Sequence, residues 1–217
     1  MKKENRWPSG LLTRVLLLLC LLVLVWSGIG PYDRATWWLE VAPVLIAVPV
    51  LIATHKRFPL TPLLYGLIFI HAVILMVGGH YTYAQVPAGF WVQDLFDLGR
   101  NHYDRLGHIA QGFVPVILAR EILIRLRVVN GRCWLNVIVV SLCLAFSAFY
   151  EMLEWWTAVY AGEGATAFLG TQGDIWDTQW DMFLCMMGAI TSLLLLSRVH
   201  DRQLAKIDPG LAKTPKP

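Results

Sequence analysis

Of 217 residues, 57% are hydrophobic and 15% charged, against roughly half and a quarter in an average soluble domain, which excludes an ordinary soluble protein. The net charge of +3 is not gathered into a basic stripe interleaved with aromatics, which excludes nucleic acid as a partner and leaves membrane lipids. No stretch has the composition of a linker or a second domain, so residues 1–217 read as a single integral-membrane domain, an all-α polytopic bundle.

A spanning helix needs about 20 mostly apolar residues. The chain opens with a basic segment, Met1 to Arg14, followed by an apolar run from Val15 to Trp26. No small-x-small cleavage site follows, and Leu19 before Cys20 is not the small residue that a lipoprotein site requires, so the first span, near 12–30, reads as a retained anchor helix. The second, near 37–54, contains Pro43 and Pro49, each of which removes a backbone donor and predicts a kink. The third, near 61–80, is apolar apart from His71 at its middle and His80 at its end. Three more spans lie near 104–124, 133–156 and 177–197, the first of them kinked at Pro115, and a short tail covers 198–217. The Gly- and aromatic-rich connections at 81–103 and 157–176 read as a lid or interfacial collar. Cys20, Cys133, Cys143 and Cys185 have no zinc or redox spacing and read as free, buried thiols. Gly188 beside Ala189 reads as close helix packing, and the tryptophans as an aromatic belt.

Lys and Arg resist translocation, so they mark the cytoplasmic side. With the N-terminus inside, only Arg34, Arg100 and Arg105 of the 18 Lys and Arg fall outside. The pattern predicts six spans with both termini cytoplasmic. Asp33, Glu40, Asp94, Asp97, Asp104, Glu151, Glu154, Glu163, Asp174, Asp177 and Asp181 have the opposite bias. Acidic residues contribute little to topology, so their gathering at the outer face predicts a site there.

Three polar stripes supply it. Asp104, His108 and Gln111 recur at i, i+4 and i+7 at the start of the fourth span; Ser147, Glu151 and Glu154 share a face near the end of the fifth; Asp174, Asp177 and Asp181 open the sixth. Ionisable side chains in a span normally face the bundle interior or a water-filled cavity. Carboxylates crowded there must be protonated, paired with Arg105, or bound to a cation. Carboxylates with a histidine suit a divalent metal ion, which is the candidate cofactor, with Asp104, His108, Glu151, Asp177 and Asp181 as candidate ligands. His108, Glu151 and Glu154 are the candidate general acids or bases, and Arg105, Gln111 and His71 complete the polar site. Plainer readings stand beside these: Asp104 and Arg105 as a capped helix start, Asp174 and Asp177 as acids favoured by a helix N-terminus, His71 as a hydrogen-bonded core histidine. Glu121 and Arg125 near the cytoplasmic end read as an i, i+4 surface pair.

Through Tyr103-Asp104-Arg105-Leu106-Gly107-His108, Tyr150-Glu151-Met152-Leu153-Glu154-Trp155 and Gly173-Asp174-Ile175-Trp176-Asp177-Thr178-Gln179-Trp180-Asp181-Met182, most of the chain resembles the YjdF-like inner-membrane proteins of bacteria. The resemblance implies a multi-pass fold and supplies no reaction. More distantly the chain is similar to VanZ-like membrane proteins, whose pattern would fall on Asp104, Arg105, His108, Glu151, Asp177, Asp181 and Gly188; it commonly has Asn near the position of Leu184 or Cys185, which this chain lacks. Three functions fit these stripes: a metal-dependent outer-face site acting on a lipid headgroup or envelope precursor, a small-solute or proton-coupled transporter, and a non-catalytic scaffold locked by its polar stripes.

Overall fold

The computed structural model describes residues 10–161 and 172–208, and the regular structure among them is helical: α1 (Gly10–Gly28), α2 (Arg34–Thr54), α3 (Pro62–Tyr81), α4 (Pro87–Phe96), α5 (Tyr103–Phe113), α6 (Pro115–Arg125), α7 (Arg132–Ala161) and α8 (Asp177–Ile207). Among the described residues six segments are long and apolar enough to cross a membrane, α5 and α6 together forming the fourth. Helix starts follow local chemistry. Asp33 caps α2 by accepting from Thr36 N at 2.7 Å, and Thr61 caps α3 ahead of Pro62, whose missing N–H is no loss in a first turn. α2 runs unbroken through Pro43 and Pro49. At Pro115 the fourth span divides, and the N–H groups of Ile117 and Leu118 turn to Val114 O at 3.1 and 3.3 Å.

The structure adds to three expectations and corrects the one on Cys133. Residues 198–207 of the expected tail continue α8: His200 and Leu204, one turn apart, are buried, so the inner face continues past the first charges at which an apolar run ends. The 81–103 connection contains α4, started by Pro87 and stopped by Asp97 in the left-handed region. Of the expected 157–176 collar, residues 157–161 belong to α7, while 162–171 lie outside the described residues, as do 209–217 of the tail. Cys133 is exposed, because it sits in the first turn of α7, ahead of that helix's buried face; the other three thiols are buried and all four are free.

α5 packs more extensively against α8 than against any other helix. Gly112 and Gly188 make this possible. A Cβ on Gly112 would collide with the Cys185 carbonyl, and one on Gly188 with that of Ile109. Below this seam, Val116, Ile117, Val139, Cys143, Cys185 and Ala189 form a buried apolar layer joining α6, α7 and α8, while Trp37, Val41, Val44, Ala72 and Met76 tie α2 to α3.

Glu121 is not half of a surface pair; it is fully buried. It accepts from Thr61 N at 3.1 Å, Thr61 Oγ1 at 2.8 Å and Arg125 Nη1 at 2.9 Å. Arg120 Nη1, always a donor, gives to His200 Nδ1 at 2.8 Å, so the imidazole proton sits on Nε2 and goes to Glu121 at 3.0 Å. Arg120 and Arg132 converge on Asp201 at 2.6 and 2.8 Å. This network fastens α3, α6 and α8 together at the end of the bundle remote from the acidic stripes.

Candidate functional site

The tight α5–α8 seam brings their first turns together. His108, on the inner face of α5, points Nε2 toward two carboxylates, Asp104 Oδ1 at 3.6 Å and Asp181 Oδ2 at 3.7 Å. On its other side His108 Nδ1–H donates to Gln111 Oε1 at 3.1 Å, which leaves the Nε2 lone pair aimed at the acids. An unprotonated Nε2 facing two carboxylates is tenable only with a cation between them, either a proton or a metal. Ligands bound 2.0–2.2 Å from a zinc-like ion stand roughly 3–4.5 Å apart, and one ligand atom from each of Asp104, His108 and Asp181 lies within 4.8 Å of the others. His108, Glu151 and Glu154 form a second such group, so the third stripe, on α7, closes the pocket.

Burial decides how unusual this is. His108 is 6% exposed, Glu151 7% and Asp181 3%. Glu151 Oε1 and Asp181 Oδ1 are buried without a hydrogen-bond partner, and a buried acceptor left unmade costs about 1–3 kcal/mol, more when charged. No described Lys or Arg is ion-paired with Glu40, Asp104, Glu151, Glu154 or Asp181.

The nearby arginines serve the rim instead. Arg100 Nη2 holds Asp177 Oδ1, so Asp177 is engaged by a guanidinium rather than grouped with His108. Arg105 Nη2 donates to Asp174 at 2.9 Å and its guanidinium lies 5.2 Å from the Trp180 ring centroid. The Asp174 carboxyl is held below the usual carboxylate range by the Trp176 N–H, and then by Arg100 and Arg105. His102, beside both arginines, is held below the ordinary histidine value by burial first and then by those charges. Gln172 grips the start of α5 from across the rim, accepting from Asn101 N at 3.2 Å and donating to Asn101 O at 2.8 Å.

Three pocket residues escape the stripe pattern. Glu40 of α2, 6% exposed, accepts from Tyr150 Oη at 2.9 Å. Tyr83, folded against Gly78 and Gly107 with φ +49°, reaches the same carboxylate; burial, and then Glu40, push its phenol well above the ordinary value, so it acts as a donor. Glu40 stands alone in an apolar helix without an i+4 companion, and its neighbours come from other helices; its only signal was its charge. His71, expected at the site, does not join it, and neither does His80 of the same helix. His80 donates to Ser27 O at 3.0 Å and stacks on Trp26. His71 lines a separate apolar cavity among α1, α2 and α3.

Residues 12–202 match the family described as Predicted membrane protein (DUF2238). The chain is similar to inner membrane protein YjdF of Escherichia coli (strain K12), with 56% identity over 185 residues that cover 85% of this chain and 88% of that relative. The VanZ-like likeness is carried by neither match. No solved structure matches.

Proposed function

The chain belongs to this family of inner-membrane proteins, and from that premise we propose that it works through the carboxylate–histidine pocket, as a divalent-metal site acting on a lipid headgroup or an envelope precursor. In this reading the pocket lies at the outer face of the membrane, a side that the Lys and Arg distribution favours. The observation that carries the reading is the pair of buried, unpartnered oxygens, Glu151 Oε1 and Asp181 Oδ1, in a pocket where His108 is the basic group among the described residues. At the other end of the bundle both carboxylate oxygens of Glu121 are partnered; here carboxylate oxygens are left open where a cation would sit.

Asp104, His108 and Asp181 would hold the ion, with Gln111 fixing the imidazole. A bound divalent ion there would polarise a phosphoryl or carbonyl oxygen, or lower the pKa of a bound water. Glu151 or Glu154, on the α7 wall beside His108, would take or return the proton. Trp176 and Trp180, exposed at the rim, suit headgroup depth. Transport is the weaker reading, since a polar route would have to cross the apolar layer of Val116, Ile117, Val139, Cys143, Cys185 and Ala189.

Elemental mass spectrometry of the detergent-purified protein tests the proposal, with Asp181→Asn and His108→Ala prepared identically. We expect a stoichiometric metal in the parent and its loss in both variants. A folded parent that takes up no metal even after supplementation would sink the metal site and move scaffolding and transport ahead of it.

A further inference from the structure

α1 and α2 both pack along α3 but scarcely touch each other along their lengths. They are joined at one end, where Trp37 Nε1 donates to Ser27 Oγ at 3.1 Å and the Trp37 ring lies against Gly28. Away from that end, a cavity of about 570 Å³ lies between them over α3, lined from Cys20 back to Gly10 on α1 and from Pro43 on to Lys56 past the end of α2. Glu40 belongs to the polar pocket and sits near the start of α2, whereas Lys56 of the cavity follows that helix's end, so the two sites lie at opposite ends of the bundle.

The cavity is amphipathic along its length. Leu17, Val44, Val48 and Phe69 line it together with His71, whose buried Nε2 has no hydrogen-bond partner, and Arg14 and Lys56 line it where α1 begins and α2 has ended. Both basic residues are exposed, and neither is in an ion pair among the described residues. His55, which also lines the cavity, is hydrogen-bonded to Tyr65 Oη at 2.7 Å. A volume within the 300–1,000 Å³ range of small-molecule sites, mostly apolar and doubly cationic at one end, matches an amphiphile with an apolar tail and an anionic head. Basic pockets between spanning helices suit the headgroups of anionic lipids.

We infer that the cavity between α1 and α2 is a binding site for an anionic phospholipid, its acyl chain against α3 and its phosphate between Arg14 and Lys56. The site is separate from the carboxylate–histidine pocket and does not depend on that pocket's function.

Native mass spectrometry of the full chain, delipidated in mild detergent and then given phosphatidylglycerol or phosphatidylcholine, tests this. We expect one phosphatidylglycerol retained per chain and phosphatidylcholine lost. Arg14→Gln with Lys56→Gln, both exposed and so compatible with folding, should lower retention roughly tenfold. Ala47→Phe, which fills the wall, should lower it while the two cations remain. Equal retention of both lipids, or phosphatidylglycerol retained unchanged by both variants, would overturn the proposal. So would a dimer that forms without lipid and is lost in Ala47→Phe, because the cavity would then receive a second copy of the chain.

Discussion

Gly112 and Cys185 lie backbone against backbone: a Cβ on the glycine would occupy the place of the Cys185 carbonyl oxygen. This contact and its partner at Gly188 and Ile109 set the α5–α8 spacing, and that spacing holds His108 within 3.7 Å of Asp181. Gly112→Ala must therefore move a helix rather than a flexible side chain. It should destabilise the detergent-solubilised protein by about 1–3 kcal/mol, the usual range for overpacking. Gly66→Ala is the control, since a Cβ there meets nothing within 4 Å and the backbone is helical. Thermal unfolding of the two variants should separate them, with Gly66→Ala at or above the parent.

Glu121→Ala removes the acceptor that Thr61, Arg125 and His200 share. Breaking a buried charge network by deleting one partner costs about 3–5 kcal/mol, so this variant should lose most of its folded fraction. Asp181→Asn keeps the shape of a side chain whose Oδ1 has no partner, and should unfold close to the parent. Equal loss in both would mean that the carboxylate–histidine pocket is the same kind of structural lock as the Glu121 network.

The contrast between these two clusters also marks what a one-dimensional reading could reach. The spans were legible because their apolar runs are long, and the three stripes because Asp104 with His108, Glu151 with Glu154, and Asp177 with Asp181 repeat within single helices. Glu40 with Tyr150 and Glu121 with His200 were not, since each pair is made between helices 110 and 79 residues apart in the chain. Asp177 looked equivalent to Asp181, yet Arg100, on the connection before α5, engages it. The helical stretch 198–207 was hidden because polar residues end an apolar run without ending a helix.

Gln111 should matter without touching a metal. Its Oε1 accepts the Nδ1 proton of His108 and so fixes which nitrogen faces the acids. Gln111→Leu should weaken metal retention about 10- to 100-fold, the usual effect of losing an outer hydrogen bond to a ligand histidine, with thermal stability little changed. Chelator competition followed by elemental analysis measures the affinity. A variant that holds metal as tightly as the parent would show that the imidazole needs no such anchor.

Acid should loosen the rim before the core. Asp174 has a folded pKa below its unfolded value, mainly through the Trp176 N–H and then Arg100 and Arg105. Its contribution is therefore fully present above the unfolded value of about 3.9 and is lost as pH falls through the lower folded value. Hydrogen-exchange protection over residues 174–180, corrected for intrinsic rates, should hold down to about pH 4 and then drop. Asp174→Asn should show the low protection throughout. A parent without that step would mean that the Arg105–Asp174 pair does not order the rim.

Cys133 gives the orientation a direct test. It is the exposed thiol among the four, in the first turn of α7, at the end of the bundle that carries Arg120, Arg125 and Arg132. If that end is cytoplasmic, as the Lys and Arg distribution predicts, a membrane-impermeant maleimide added to intact spheroplasts should leave Cys133 unlabelled and should label it once the membrane is opened. Cys20, Cys143 and Cys185 are buried and should react only after denaturation. A Cys133→Ser control assigns the signal. Labelling of Cys133 in sealed spheroplasts would invert the topology and put the carboxylate–histidine pocket on the cytoplasmic side, where a soluble phosphorylated substrate would replace an envelope precursor as the first compound to test.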